Sequence, residues 1–143
     1  MSEAKQYTGT KIVLGTPMKR LAYNQYRGWE LPADENGDDE GYLVEYLDGG
    51  KANHPDHKGY ISWSPKDVFE RAYKPSATPL ERMLIEEEEL GDKIQKLNAA
   101  LNSDNFIDKV GVQQYELMWI QLHTMASYRG TLILRINNLK AKQ

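Results

Sequence analysis

Five residues within one short stretch, Tyr23, Asn24, Tyr26, Arg27 and Trp29, carry recognition chemistry rather than bond-breaking chemistry. Aromatic planes, a guanidinium and a side-chain amide together suit a small anionic ligand: surfaces to stack on, a planar charged fork and hydrogen-bonding groups for its edges. Arg27 is the expected anion ligand, and Trp29 or Tyr26 the stacking surface. The plainer alternative makes Trp29 and one tyrosine a small core and leaves Arg27 on the surface. A second group, Tyr60, Trp63 and a helix start expected after Ser64, offers free N–H groups to an anion. Asp67 already occupies that end, however, and Trp63 reads more simply as a strand's core residue.

Catalytic groupings are sparse. His54-Pro55-Asp56-His57 places two imidazoles and a carboxylate close together, but without further ligands at a fixed distance and in an expected loop, so no metal is assigned. There is no GxSxG, phosphate-binding glycine loop, HExxH or cysteine. Glu86 to Glu89 point in several directions around a helix and, Glu87 apart, form a solvated face. His123 reads as a partly buried helix residue. The expectation is a protein that is not an enzyme and needs no cofactor. Lack of cysteine excludes disulfides and gives no sign of an oxidising compartment. The start of the chain is short and polar, and no apolar run approaches the roughly 20 residues of a membrane helix. A cytoplasmic location without membrane contact is expected. A formal charge of −3, from 18 Lys plus Arg against 21 Asp plus Glu, disfavours polymeric nucleic acid. A local pocket of cations and aromatic faces can still oppose that average field.

These residues must be positioned by two different textures. Up to about residue 75, Gly, Pro and aromatic residues punctuate short β-branched segments; from 80 to 143 the pattern is helical and free of proline. The expected class is α+β: a β-rich ligand-binding unit, 1–75, holding a small antiparallel sheet with short helices, then an antiparallel two-helix hairpin, 80–143, used for oligomerisation. Lys11–Leu14, Gly41–Leu47 and Gly59–Trp63 read as strands. The connection from Asp48-Gly49-Gly50 to Gly59 is too long for a tight hairpin and predicts a mobile loop. Thr16-Pro17 and Ser64-Pro65 each predict a capped helix start, with Asp67 supporting the second, and Gly28 closes the first helix.

In the hairpin, Leu80, Met83, Glu87, Leu90, Ile94, Leu97 and Leu101 step by three and four. So do Tyr115, Met118, Leu122, Met125, Arg129, Leu132, Ile136 and Leu139. Each seam has one charged interruption, and with a turn at Asn102 to Asn105 the two fall at similar height, so Glu87 and Arg129 are predicted to pair. Such a pair fixes register more than it stabilises. A further stripe on the second helix, Leu117, Ile120, Thr124, Ser127, Thr131 and Leu134, is expected to meet another subunit, the alternative being burial under the β unit. Lys93 and Lys96 flank the first seam, and Arg129, Thr131 and Arg135 line successive turns of the second helix. Solvated helix charges are the default reading for these.

The order of motifs resembles a family of small phage proteins: Pro17-Met18 through Tyr23, Tyr26-Arg27-Gly28-Trp29, Pro32 to Asn36, Gly41 to Tyr46 and Gly59 to Pro65, then Val68-Phe69 and Ala72-Tyr73. Glu86 to Leu101 with Leu122 to Leu139 looks like the helical hairpin shared by phage Thoeris anti-defence sponges and phage anti-CBASS sponges. A chain with both halves is similar to the first-described type of Thoeris anti-defence sponge. That resemblance implies capture of glycocyclic ADP-ribose made by a TIR-domain enzyme. In some members it implies capture of cyclic di- or trinucleotides at separate sites of a hairpin-built homo-oligomer, with a hexamer ahead of a tetramer or dimer. It places the protein in an infected bacterial cell. A purine face and phosphates would then meet Tyr23, Asn24, Tyr26, Arg27, Trp29 and Trp63. On the hairpin, Arg135 belongs to the shared pattern, and with Thr131 it would ring an axis, beside Lys93 and Arg129. Tight capture would need a lid, either Lys51 to Lys58 or Asp34 to Glu40. The rival from another class is a phage structural or regulatory protein whose hairpin assembles subunits and whose β unit binds a host protein.

Overall fold

The computed structural model describes residues 2–143 and has mixed α+β architecture. The chain forms two compact units, Met1–Tyr73 and Lys74–Gln143. The first contains β1 (Val13–Pro17), α1 (Arg20–Arg27), β2 (Gly41–Tyr46), β3 (Ile61–Pro65) and α2 (Lys66–Ala72). Its sheet is antiparallel in the order β1-β2-β3, with Thr16 opposite Leu43 and Leu43 opposite Trp63.

Alternation along β2 sends Leu43 and Glu45 to one face and Tyr42 and Val44 to the other. On the first face Tyr23 of α1 packs with Leu43 and Ile61, all buried, beside Met18 and Trp63. On the second, Phe69 of α2 stacks on Tyr42 with centroids 4.1 Å apart. Gly15 is required there, because a Cβ would lie 2.5 Å from Phe69 Cζ. Gly41 is needed as strictly, since its Cβ would fall 2.3 Å from the Ser64 carbonyl and 2.4 Å from the Trp63 ring. Gly28 ends α1 at φ 72°, donating its N–H to Asn24 and Gln25. The turn brings Trp29 edge-on to Tyr23 at 6.0 Å.

The two expected helix caps in this unit are corrected by the structure. Thr16 and Pro17 are the last residues of β1, paired with Leu43 and Tyr42, and α1 starts at Arg20 without a side-chain cap. Ser64 and Pro65 end β3 opposite Tyr42 and Gly41, and no side chain caps α2. Pairing with β2 wins over the local signal, and Pro17 is tolerated because β1 is an edge strand. In consequence β1 starts two residues and ends three residues later than expected, and β3 lies two residues later.

The second unit contains α3 (Pro79–Leu101), α4 (Phe106–Val110) and α5 (Val112–Ala141). Thr78-Pro79 is the one such dipeptide that does cap a helix. Thr78 Oγ1 accepts from the Glu81 N–H at 3.1 Å, and Glu81 returns a carboxylate oxygen to the Thr78 N–H at 3.1 Å. Glutamate at that spacing distinguishes it from Thr16, followed there by Lys19, and from Ser64, followed by the shorter Asp67. Met83, Leu132 and Ile136 form the buried seam, flanked by Leu80 and Leu139. The predicted pair is present: Arg129 Nε and Nη2 both donate to Glu87 Oε1, at 3.0 and 2.8 Å. Gly91 leaves room for it, since a Cβ there would lie 2.9 Å from Arg129 Nη2. The connection carries the extra turn α4, entered through Asn105 at φ 58° and left through Gly111 at φ 88°.

Candidate functional site

The first unit holds a cleft of about 750 Å³ whose walls include Arg20, Tyr23, Arg27, Trp29, Asn53 and Trp63. Two guanidinium groups lie over two indoles. Arg27 Cζ is 4.4 Å from the Trp29 ring centroid, and Arg20 Cζ is 4.9 Å from that of Trp63. Trp63 is fixed by its Nε1–H, which donates to the Met18 carbonyl at 2.8 Å. The two arginines differ in what neutralises them. Arg20 Nε donates to Glu35 at 2.7 Å, forming an ion pair. Arg27 is half-buried and donates only to neutral groups, the Tyr23 hydroxyl at 3.1 Å and the Asn53 carbonyl at 3.3 Å. Among the described residues no carboxylate pairs with it, so its charge is the one available to an incoming anion.

Tyr23, Asn24, Arg27, Trp29, Tyr60 and Trp63 share this cleft, so the two groups read separately in the sequence form one site. Asn24 is buried, its backbone carbonyl receiving the Trp29 N–H at 2.8 Å. Tyr23 serves both the core and the cleft. Tyr26 is not part of it. Its ring stacks on His54 at 4.4 Å and its hydroxyl meets His57 Nε2 at 2.8 Å.

Sequence reasoning missed Arg20, Glu35 and Asn53. Arg20 was within reach: Arg20, Tyr23 and Arg27 follow i, i+3, i+7 along α1 and so share a face. Asn53 carries no such signal.

The helix start at α2 lines an adjoining hollow of about 580 Å³ that shares Arg20 and Trp63 with the cleft, where five carboxylates, Asp38, Asp39, Glu40, Asp67 and Glu70, outnumber Arg20 and Lys66, a lining opposed to an anion. Both loops considered as lids are tethered. Asn53 Oδ1 accepts from the Ile61 N–H at 2.8 Å and Nδ2 donates to the Ile61 carbonyl at 2.9 Å, so the segment expected to be mobile is pinned to β3. In the acidic loop, the Gly37 and Asp39 carbonyls accept from the Leu21 and Arg20 N–H groups at 3.0 Å.

His57 Nδ1 bonds Glu45 Oε1 at 2.5 Å. Its hydrogen bond holds the Glu45 carboxyl below its ordinary range. Burial, with Asp56 and Glu45 adding, raises the Tyr26 phenol, which therefore stays protonated. Among the described residues no group of three or more His, Cys, Asp or Glu side chains is placed to hold a metal ion.

On the hairpin, Thr131 and Arg135 share an exposed hollow of about 320 Å³ with Leu134, Asn138 and Leu139. Lys93 is exposed away from it, Lys96 pairs with Asp92 at 2.9 Å, and Arg129 is committed to Glu87. A larger groove of about 960 Å³ is lined by Glu87, Glu88, Glu89 and Asp92, with His123 and Arg129. His123 proves exposed rather than partly buried, with its ring stacked 6.1 Å from Trp119. Leu117, Ile120 and Leu134 of the second stripe are exposed. Among the described residues no helix is long and apolar enough to cross a membrane.

The cleft thus sets two guanidinium groups over two indoles, one of them, Arg27, without a carboxylate partner among the described residues, in a unit followed along the chain by a long helical hairpin. Residues 77–138 match the family model described as Sequestin, from the cap of α3 to the last turns of α5, so the helical unit is similar to that family, whose name denotes sequestration. No curated protein and no solved structure shows significant similarity to the chain.

Proposed function

We propose that this protein captures a nucleotide second messenger and releases it unaltered, lowering its free concentration as a sponge does. The ligand we assign is glycocyclic ADP-ribose. The observation that carries the reading is the Arg27 guanidinium, lying over Trp29 and free of a carboxylate partner among the described residues, in one cleft with Tyr23 and Trp63. A diphosphate suits that charge and a purine suits the indole and phenol faces. The resemblance of the motif order to Thoeris anti-defence sponges, and the Sequestin match of the hairpin, point the same way. Capture works by mass action and requires nanomolar affinity, about −12 kcal/mol. No bond has to break, so the protein acts without catalysis and without a cofactor.

The exposed apolar stripe of α5 supports assembly into a homo-oligomer, with a hexamer favoured. Thr131 and Arg135 would then be repeated around an axis and could hold a cyclic di- or trinucleotide of CBASS signalling.

Incubation of the purified protein with glycocyclic ADP-ribose, followed by heat denaturation and chromatography, tests the reading. Disappearance followed by intact recovery is expected. Conversion would make it an enzyme, and no disappearance would favour a module that binds a host protein. Light scattering on the same sample measures the oligomer.

A further inference from the structure

Tyr26 and Arg27 are consecutive in α1 and grip the chain between β2 and β3 from two sides. Arg27 Nη2 donates to the Asn53 carbonyl, while the Asn53 side chain bonds both backbone groups of Ile61, continuing the sheet ladder where β3 begins. Further along the segment, His57 stands between Glu45 of β2 and Tyr26 of α1. A carboxylate only accepts, so His57 Nδ1 carries a hydrogen, and in the neutral ring Nε2 accepts from the Tyr26 hydroxyl. The second Glu45 oxygen accepts from the Gly59 N–H at 3.4 Å, the His54 carbonyl from the His57 N–H at 3.2 Å, and the His54 ring lies flat against Tyr26. The segment is thus fastened at His54, His57 and Gly59, none of which lines the cleft, while Asn53 does.

We propose that the Glu45–His57–Tyr26 chain is a clamp that positions Asn53, and through it holds the Arg27 guanidinium over Trp29, so that Tyr26 and His57 set ligand affinity without touching the ligand. The inference rests on the reading of Arg27 as the anion-binding group. A half-buried guanidinium with only neutral partners takes its orientation from how firmly those partners are held. Tyr23 is fixed by the core, whereas Asn53 lies in a long connection held at one point by its own bonds to Ile61 and, four residues further on, by this clamp. Holding a binding group in its bound geometry before the ligand arrives reduces the ordering cost of binding.

The test is nuclear magnetic resonance of arginine side chains in the full, ligand-free protein, comparing wild type with Y26F and H57A. Y26F keeps the ring on His54 and removes only the hydroxyl, so it remains informative if H57A folds poorly. Exchange with water of the Arg27 Nη hydrogens, which bond Tyr23 and Asn53, should quicken roughly fivefold in both, the size expected for one lost hydrogen bond, while the guanidinium hydrogens of Arg20, paired with Glu35, stay within about twofold. Unchanged Arg27 exchange would overturn the clamp, and so would equal quickening at Arg20, which would mean general loosening. Affinity for glycocyclic ADP-ribose should fall by a similar factor, and an undiminished affinity in Y26F would also overturn it. If the wild type does not bind that probe, the sponge reading fails, and the ligand-free exchange still decides the clamp.

Discussion

Replacing Arg27 by glutamine removes the one cleft charge that no carboxylate offsets, and the structure allows its effect to be sized. A charge-assisted hydrogen bond contributes about 1.5–3 kcal/mol. Arg27 is half-buried in an open cleft, so solvent screening favours the lower half of that range. At about 1.4 kcal/mol per tenfold, R27Q should weaken glycocyclic ADP-ribose binding roughly 10- to 40-fold. The fold should lose less than about 1 kcal/mol, because the two groups Arg27 serves, the Tyr23 hydroxyl and the Asn53 carbonyl, can take water instead. The control is the double variant R20Q/E35Q, which deletes a neutralised pair from the same cleft and should change affinity by no more than about threefold. Titration calorimetry at fixed salt, with thermal unfolding run in parallel, separates binding from stability. The reasoning fails if R27Q binds like the wild type, or if the double variant loses as much as R27Q does.

Other expectations concern the frame around the cleft. T78A removes the capping box of α3 and should destabilise the helical unit by about 1 kcal/mol in chemical denaturation, and a cost near zero would show the cap to be dispensable. G15A would push a methyl into Phe69, which is stacked on Tyr42 and packed beside Tyr73, so the first unit should lose about 1–3 kcal/mol, while helical circular dichroism of the hairpin persists to its usual temperature. E87Q and R129Q should each cost about 1 kcal/mol, a value discounted because Arg129 is 40% exposed, and the swap E87R/R129E should recover at least half of it in a double-mutant cycle. Glu45 titrates lower in the folded protein than its ordinary 4.5, so its contribution is present above that value and lost as pH falls through the lower folded one. Hydrogen exchange at the Ile61 amide, corrected for intrinsic rates, should therefore be slow and flat at neutral pH and rise in acid as the Glu45 carboxylate that accepts from His57 is protonated. A flat profile down to pH 3 would refute the link between Glu45 and the loop.

The heptad seams were legible because spacing alone decides which side chains face each other, and the Glu87–Arg129 pairing followed from where each seam is interrupted. The α+β division was legible for the same reason, since periodicity and turn residues are local signals. Ser/Thr-Pro dipeptides misled, because a cap is local but strand pairing is not. Thr16 and Ser64 lie beside β2 in the fold, which the sequence around them does not record. Tyr26 lies outside the cleft for a reason of helix geometry, since neighbours on a helix point about 100° apart and a run of adjacent residues cannot all face one cleft. The same geometry applied forward selects Arg20 and Tyr23 with Arg27. Asn53 was out of reach, for its role depends on meeting Ile61 across a connection whose path no local pattern specifies.

The lone charged layer in the hairpin has a consequence for how such chains diverge. Leucine, isoleucine and methionine elsewhere along the interface are near-equivalents, and sliding one helix past the other by a heptad would still match oil to oil. Only at Glu87 and Arg129 would a slide strand a cation against hydrocarbon. That layer works like the keyway on a shaft: the greasy rungs can be exchanged freely from one lineage to the next, and whatever is mounted farther along, Thr131 and Arg135 included, keeps its height and its angle.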